Sequence, residues 1–408
     1  MVDLTYTVIT GGALAPVLSD GRSRVDNARV RIRLKLLAVL YHQVLDTPEL
    51  GGGNLYALAV AEHLHRSGLT APVWIGGSGP AVDEVARRGL SPRSFDQNAL
   101  RAGGLPAAIQ LGQLAWRLRQ GRGLVHTHST FLHGLMARAF RVAGVRCIAH
   151  VHIESTDDDY RWAFRRPPHA IVTCAEFLVR HVERALPAGT WKSTRIHAVP
   201  NSVDMSRFQP GDRVAEKQRL GAPPDRPLIV MAANLAPHKG QVTAIKATAE
   251  LRSSGVDADL WLAGVERGGG TSFTEQLETL VGELNLQERV RFLGQRSDMP
   301  AILKAADAFV LPSTNEGLPL TILEAQASGV PVLAAPTAGI PEVVVHGETG
   351  FLIRADDPAG YARQLRELFR QPALADQLNA AAATRLRQKH TSEAMLRRLR
   401  EIYNEVLR

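Results

Sequence analysis

Residues 313–325, STNEGLPLTILEA, hold the most informative pattern of this chain, a pair of glutamates on either side of a turn and a helix start. The stretch follows a buried strand predicted at Ala308–Leu311, and Pro319 is favoured in the first turn of a helix. A helix that begins at the carboxyl end of a strand offers free backbone N–H groups, here those of Leu320 and Thr321, and the positive end of its dipole. The stretch therefore predicts an anion site able to hold a diphosphate.

The two glutamates, Glu316 and Glu324, are the candidate ligand-binding side chains of this stretch. Glu316 lies in the loop before the predicted helix, and Glu324 lies about two turns into it. With a diphosphate between them, one carboxylate can reach a sugar and the other a ribose. The structural alternative is a loop carboxylate and a solvated helix residue. Taken without the phosphate site, the pair also suits the two carboxylates of a glycoside hydrolase.

The stretch resembles the E-x7-E motif of retaining GT-B glycosyltransferases of the family 4 type. The similarity continues through residues 327–332 (ASGVPV), 339–343 (GIPEV) and 347–352 (GETGFL). With weaker N-terminal matches it spans nearly the whole chain. The resemblance implies that Glu316 contacts the transferred sugar and that Glu324 contacts the ribose of a nucleotide. The expected donor-binding residues around them are Gly317, Leu318, Leu320 and Thr321.

A second loop, residues 234–240 (NLAPHKG), is similar to the family's R-L-x-x-x-K-G loop, in which Arg and Lys clamp the diphosphate. Lys239 matches the lysine, whereas Asn234 replaces the arginine with a neutral side chain that cannot form a bidentate ion pair. We therefore expect Lys239 and the helix start at Leu320 to stabilise more of the phosphate charge. An exposed lysine at a helix start is the structural alternative.

Gly52 and Gly53 lie at the first turn between a strand and a helix, where a glycine lets the backbone approach a ligand closely. We expect both to bind the donor, and a flexible loop is the alternative. The glycine run does not form the G-x-G-x-x-G fingerprint of dinucleotide-binding proteins. This argues against an oxidoreductase that uses a nicotinamide cofactor.

Two H-x-H pairs, His126 with His128 and His150 with His152, end adjacent predicted strands. Residues two apart on a strand share a face, so a zinc site is one interpretation, but no carboxylate or cysteine of matching spacing completes it. The resemblance to the family's V-H-x-H and V-H strand ends implies that His152 contacts the donor sugar. The other three are interpreted as structural histidines. We predict no metal and no cofactor beside the nucleotide-sugar co-substrate.

Strand and helix patterns alternate along the chain, which predicts α/β domains with doubly wound parallel sheets. The resemblance implies two Rossmann-like domains that face a cleft, the GT-B architecture. The first strand is predicted at Ile32–Tyr41 and the last helix at Ser392–Leu407. The predicted divisions are an irregular extension (1–28), an acceptor-side domain (29–205), a donor domain (206–385) and a C-terminal helix that crosses back to the first domain (386–408).

The net charge of +8 is concentrated in the first half of the 408-residue chain. Lys and Arg number 24 against 16 Asp and Glu in residues 1–205, whereas residues 206–408 contain 24 of each. An excess confined to one half favours an anionic partner, either a membrane surface or a phosphate-bearing acceptor. The alternative is an Arg-rich surface without a partner. Few aromatic residues accompany the basic ones, which argues against nucleic acid.

Together these patterns predict a retaining glycosyltransferase that moves a sugar from a nucleotide-diphosphate sugar to a glycan or lipid-linked acceptor, in polysaccharide or glycoconjugate biosynthesis. The alternatives are a sugar-nucleotide epimerase, a sugar phosphorylase or a degenerate nucleotide-sugar binding module. The two cysteines, the absence of a long apolar run and the early arginines favour a cytoplasmic protein with peripheral contact at the inner membrane surface.

Overall fold

Two parallel sheets organise the part of the chain that the structure, a computed structural model, describes: residues 39–120, 123–186, 194–266 and 272–408. The first sheet has the strand order β3-β2-β1-β4-β5-β6-β7 and the second β10-β9-β8-β11-β12-β13. In both, the order reverses beside the first strand, the doubly wound arrangement predicted for an α/β protein. The first sheet consists of β1 (Leu40–Leu45), β2 (Val73–Gly76), β3 (Pro92–Phe95), β4 (Gly123–Thr127), β5 (Arg146–Val151), β6 (Ala170–Thr173) and β7 (Arg195–Ala198). The second consists of β8 (Leu228–Ala232), β9 (Asp259–Ala263), β10 (Val290–Gly294), β11 (Ala308–Leu311), β12 (Val332–Ala334) and β13 (Phe351–Leu352).

Helices connect these strands and cover the sheets. Those before β8 are α1 (Gly52–Arg66), α2 (Pro80–Arg87), α3 (Gln97–Ala102), α4 (Gly104–Arg119), α5 (Thr130–Ala143), α6 (Asp157–Ala163), α7 (Glu176–Ala185) and α8 (Arg213–Arg219). Those after it are α9 (Gln241–Ser253), α10 (Ser272–Glu283), α11 (Met299–Ala305), α12 (Leu320–Ala327), α13 (Pro358–Arg370), α14 (Pro372–Lys389) and α15 (Ser392–Leu407). None of the described helices is long and apolar enough to cross a bilayer.

The C-terminal helix α15 packs against the first sheet. Its residues Met395, Leu399 and Ile402 belong to the same buried cluster as Leu45 of β1 and side chains of α1. The hydroxyl of Tyr403 lies 2.8 Å from Nδ1 of His126 on β4. Helices α4 and α5 cover the opposite face, in a second cluster with Val44, Trp74 and Val125.

The first strand differs from the prediction, which placed it at Ile32–Tyr41. The described strand is Leu40–Leu45, and the predicted part before Val39 lies outside the described residues, as does the predicted extension 1–28. The physical reason is that β1 contains His42 and Gln43, two polar residues that are fully buried. The indole N–H of Trp74 donates to His42, so this buried polar residue has a hydrogen-bond partner. Because its residues are not all apolar, the strand is difficult to recognise from the sequence.

Candidate active site

Most of the candidate residues lie where strands of the two sheets end, or at the helix starts that follow. In the first half, His152 follows β5, and Gly52 and Gly53 begin the helix after β1. In the second half, two loops carry the candidates. One follows β8 and contains Asn234 and Lys239, and the other follows β11 and contains Glu316 and Gly317. The carboxyl ends of parallel strands are the usual place for ligands in such sheets.

The two loops of the second half are joined through the carbonyl group of His238. This oxygen accepts hydrogen bonds from the backbone N–H of Thr314 at 2.8 Å and the hydroxyl of Ser313 at 3.0 Å. Gly240 lies two residues after His238 and has a φ of +86°. A Cβ added to Gly240 would lie 2.1 Å from the carbonyl oxygen of Pro312. Only glycine suits this close approach, which brings the lysine loop onto the glutamate loop.

Lys239 and Glu316 meet at this junction, although 77 residues separate them in the chain. Nζ of Lys239 lies 2.8 Å from Oε1 of Glu316, and it donates a longer hydrogen bond of 3.4 Å to the carbonyl of Asn315. Both side chains are largely withdrawn from solvent, so each charge depends on the other for compensation. The two residues predicted to act on the sugar and on the phosphates therefore form one charged unit.

Gly317 is the point at which the glutamate loop touches the first half. It forms an antiparallel bridge with Ile153, and an added Cβ would lie 1.9 Å from the carbonyl oxygen of His152. The N–H of Gly339 donates to the carbonyl of Gly317 at 2.9 Å. The thiol of Cys174 donates to the same His152 carbonyl at 3.4 Å. Gly317 thus has a steric reason to be glycine that a donor-binding role does not require.

Two helix N-termini converge beside this contact. An added Cβ on Gly52, in the first turn of α1, would lie 3.9 Å from Cδ1 of Leu320, the first residue of α12. One on Gly53 would lie 3.2 Å from the ring of His152. Neither Gly51 nor Pro319, which precede the two helices, caps its helix with a side chain. The free N–H groups and the positive dipole ends of both helices therefore favour a bound anion here.

Two asparagines that the sequence analysis did not single out as functional hold these parts in place. The amide of Asn54 donates to the carbonyls of Thr47 and Glu49, at 2.9 and 2.6 Å, which fixes the loop before α1. The amide of Asn201 donates to the carbonyl of Leu318 at 2.7 Å. The side chain of Leu318 is buried in the core, and its backbone N–H forms a hydrogen bond with the sulfur of Cys174. Asn54 directly follows the glycine run, which is a local signal for its position.

His152 is held by a chain of hydrogen bonds that fixes its tautomer. Nε2 of Gln43 donates to the carbonyl of Tyr41, so Oε1 of Gln43 accepts from Nε2–H of His128 at 2.8 Å. Nδ1 of His128 then accepts from Nε2–H of His152 at 3.2 Å. Burial lowers the pKa of His152 to about 3, so the ring is neutral at physiological pH. Its Nδ1 is therefore left as an acceptor for a hydroxyl group.

The other histidines form a buried stack behind His152. Ligand atoms of His126, His128 and His150 lie within 4.8 Å of one another. A tetrahedral zinc with Zn–N bonds of about 2.0–2.1 Å needs nitrogens about 3.3 Å apart. Both nitrogens of His128 already have partners, and the rings of His126 and His150 are within 9° of parallel. This arrangement fits packed neutral rings better than converging metal ligands, and the predicted absence of a metal stays a prediction.

The two halves of the chain match two family descriptions. Residues 50–207 match Glycosyltransferase Family 4, and residues 212–385 match Glycosyl transferases group 1. A D-inositol 3-phosphate glycosyltransferase of Corynebacterium efficiens is 31% identical over 350 residues, which are 78% of this chain and 82% of the relative. The chain belongs to glycosyltransferase family 4. The resemblance to family 4 that was inferred from the sequence is thereby confirmed, whereas the retaining course of the reaction stays a prediction.

Other relatives and solved structures agree with this family 4 glycosyltransferase. A Streptomyces avermitilis protein of the same name is 37% identical over 220 residues, 51% of this chain, and the match spans only 45% of that relative. Anabaena HepE, solved with UDP-glucose, matches with a TM-score of 0.79 at 20% identity, covering 90% of this chain and 99% of that one. Thermosynechococcus elongatus sucrose-phosphate synthase gives 0.72 at 20% identity, with coverages of 90% and 99%. These structures establish the GT-B fold alone.

Glu324 and Thr321 both lie on α12 in this glycosyltransferase, Thr321 in its first turn and Glu324 one turn further along. Burial raises the pKa of Glu324 to about 7, and the nearby Arg207 opposes the shift. Asn234 lies at the start of the lysine loop, where its carbonyl accepts from the amide of Gln241 at 2.9 Å. A cavity of about 410 Å³ lies elsewhere, at the ends of β2 and β3, and none of the candidate residues lines it.

Replacing Glu324 with glutamine is expected to stabilise the unliganded protein at high pH. Because the pKa is raised above the ordinary value of 4.5, protonation favours the folded state, and this contribution is lost as pH rises through 7. At pH 8 we expect Glu324→Gln to raise the free energy of unfolding by about 2 kcal/mol, a figure reduced for partial exposure. At pH 5 wild type and variant should differ little. Thermal melting at both pH values measures this, with Glu278→Gln on exposed α10 surface as the control. Equal gains at both pH values would contradict the assignment.

Proposed function

We propose that the protein is a retaining glycosyltransferase that takes a sugar from a nucleoside diphosphate sugar and joins it to an acceptor hydroxyl. The observation that carries this proposal is that the Lys239–Glu316 pair lies at the loop that leads into α12, whose uncapped start lies beside the uncapped start of α1. These groups supply positive potential at one point and a carboxylate next to it. That is the pattern expected where a sugar leaves a diphosphate.

The diphosphate gains negative charge as the glycosidic bond breaks, so groups that bind it more tightly at that moment lower the barrier. The ammonium group of Lys239 and the N–H groups near Gly52 and Leu320 are such groups. Because they carry the positive charge, the reaction as proposed needs no metal ion. Asn234 offers only neutral hydrogen bonds where related loops have arginine, which leaves Lys239 as the principal cation.

Retention of the anomeric configuration is part of the proposal. Glu316 is paired with Lys239, and a carboxylate held by an ammonium group is a weak nucleophile. We therefore assign Glu316 to orienting the sugar and to favouring positive charge at its ring, not to forming a covalent intermediate. The leaving phosphate then takes the proton of the acceptor on the same face. His152 presents Nδ1 as an acceptor for a sugar hydroxyl.

The nucleotide is expected to extend along α12 towards Glu324, whose carboxylate accepts hydrogen bonds from the ribose. Uridine diphosphate sugars are the first donors to test, because HepE was solved with UDP-glucose. Guanosine diphosphate sugars follow, since the family also uses them. An ionised Glu324 accepts hydrogen bonds from the ribose hydroxyls better than the neutral acid does, so the affinity for the donor is expected to rise between pH 6 and pH 8.

The acceptor is proposed to carry negative charge, because the excess of basic residues lies in the first half of the chain. Two acceptor classes meet this requirement. One is an inositol phosphate, the acceptor in the name of the Corynebacterium efficiens and Streptomyces avermitilis relatives. The other is a glycan on a lipid phosphate at the cytoplasmic face of a membrane, as in polysaccharide biosynthesis. The two acceptor classes would give different products, so both are tested in the same experiment.

The test incubates the protein with UDP- and GDP-sugars in four conditions: alone, with inorganic phosphate, with inositol phosphates, and with lipid-linked glycans. The proposal predicts sugar transfer to an acceptor and slow hydrolysis of the donor alone. Conversion of the donor into an epimer would favour an epimerase, and sugar phosphate formed with free phosphate would favour a phosphorylase. Binding of the donor without any conversion would favour a degenerate binding module and overturn the proposed activity.

A further inference from the structure

One side of the first half contains a long segment without acidic residues. No Asp or Glu occurs between Asp96 and Glu154, whereas this segment contains seven arginines. The segment covers α3, α4 and α5, which pack side by side against one face of the first sheet. The outer face of these three helices is therefore positively charged, and the helices themselves contribute no carboxylates to compensate that charge. Such a field attracts an anionic partner over distances of about a Debye length.

The same face exposes large apolar side chains. On α4, Leu105, Ile109 and Trp116 are 73%, 54% and 64% exposed, and their spacing of four and seven residues places them on one stripe about 16 Å long. On α5, Phe131 and Val142 are 42% and 56% exposed. These five are half of the ten large apolar residues that are exposed in the described chain, and they lie on two adjacent helices. A concentration of this kind marks an interaction surface.

Basic and apolar groups alternate across this face. The guanidinium of Arg101 lies 5.2 Å from the ring centre of Phe131 at one end of the helix pair. At the other end, Arg119 donates to the carbonyl of Val142 at 2.7 Å. Arg138 and Arg141 are exposed between these ends on α5. A surface that offers aromatic and aliphatic side chains among arginines is typical of helices that lie in the headgroup region of a bilayer.

We propose that the outer face of α4 and α5 binds an anionic lipid bilayer, with Leu105, Ile109 and Trp116 inserted at the level of the headgroups. Nucleic acid would pair its phosphates with the arginines but would leave the stripe of Leu105, Ile109 and Trp116 without an apolar partner. A second copy of the chain would place like charges opposite one another, which disfavours a symmetric dimer through this face. The bilayer satisfies both features together.

If α4 and α5 lie on a bilayer, the protein is oriented in a way that suits an acceptor held by the membrane. Helix α5 begins where β4 ends, and Arg101, just before α4, lies over the ring of Phe131, so Leu105 and Phe131 lie towards the edge of the sheet that carries His152. The hydroxyl of Ser129, which caps α5, donates to Asp46 at the end of β1. A lipid-linked acceptor would approach the site along this edge. This step rests on the proposed function, whereas the binding of the bilayer does not.

The test is sedimentation of the full chain with vesicles of phosphatidylglycerol or of phosphatidylcholine. The proposal predicts binding to phosphatidylglycerol at about 0.05 M salt, weaker binding at about 0.5 M salt, and little binding to phosphatidylcholine. The triple change Leu105→Gln, Ile109→Gln and Trp116→Gln is expected to weaken binding at least about tenfold. Val214→Gln, which alters a 50% exposed apolar residue of α8, is the matched control and should bind as wild type does.

The charge is tested separately with Arg138→Gln and Arg141→Gln, since each arginine near an anionic surface is expected to strengthen binding about fivefold. The control for the loss of two charges is the double change Arg363→Gln and Arg370→Gln, at two exposed positions of α13. Circular dichroism checks folding, and donor hydrolysis measured on the same samples reports the proposed activity independently. Absence of binding to phosphatidylglycerol at low salt, or equal loss in the control variants, would overturn the assignment even if donor hydrolysis is intact.

Discussion

Glu316→Ala is expected to lower kcat for sugar transfer about 100- to 1,000-fold while the protein stays folded, since removal of one positioned group in a charged site commonly costs that much. The variant also leaves the ammonium group of Lys239 largely buried without its counter-charge, so the phosphate-binding lysine loses its position. Glu316→Gln retains a hydrogen-bond partner and should lose less. Steady-state kinetics with the best donor and acceptor measure the effect.

Lys239→Ala is expected to lower turnover to a similar extent, because the principal cation at the diphosphate is removed. Since Lys239 and Glu316 form one unit, the double variant should lose much less than the product of the two single losses. Glu401→Gln, which removes the partner of Arg398 in an exposed ion pair of α15, serves as the control and should leave kcat unchanged. Near-normal transfer by either alanine variant would remove the charged pair from the mechanism.

Gly317→Ala is expected to impair both stability and donor affinity, although it adds a single methyl group. Its Cβ would meet the carbonyl oxygen of His152 at 1.9 Å and Sγ of Cys174 at 3.0 Å. The bridge to Ile153 must then open, and overpacking of this kind costs about 1–3 kcal/mol. We expect a lower melting temperature and a raised KM for the donor.

The matched control for this prediction is Gly282→Ala in α10. There the nearest atom to an added Cβ is the amide nitrogen of Gln287 at 3.8 Å, an ordinary contact. Alanine should stabilise that helix by up to about 1 kcal/mol. The pair of variants separates the steric effect from a general effect of alanine. A Gly317→Ala protein that melts and binds as wild type does would show that the two halves do not depend on this contact.

The strands of the second half were predictable because most of them are buried on both faces. The strand predicted at Ala308–Leu311 has the same bounds in the structure. It is a short, uninterrupted apolar run, typical of a central parallel strand, and β8 and β9 are runs of nearly the same kind. The strands β3 and β7 carry no such signal. Both lie at sheet edges, and their residues are mostly exposed or partly exposed, so they show little apolar pattern.

The candidate site was predictable as a set of residues but not as a set of contacts. The spacing and family resemblance of residues 313–325 indicated Glu316, whereas its ion pair with Lys239 depends on loop packing through His238. The tautomer of His152 depends on Gln43, which lies far away in sequence on another strand. Nothing local in the sequence indicates either contact. They arise because parallel strands bring their carboxyl ends to one edge.

The central claim is that Lys239, Glu316 and the starts of α1 and α12 bind and cleave a nucleoside diphosphate sugar. The most direct measurement is the release of nucleoside diphosphate from a panel of sugar nucleotides, followed by NMR in the presence of EDTA, with wild type and Glu316→Ala compared. We predict that wild type releases the diphosphate from at least one donor, that the transferred sugar keeps the donor's anomeric configuration, and that Glu316→Ala releases almost none. Release from no donor, or equal release by the variant, would contradict the claim.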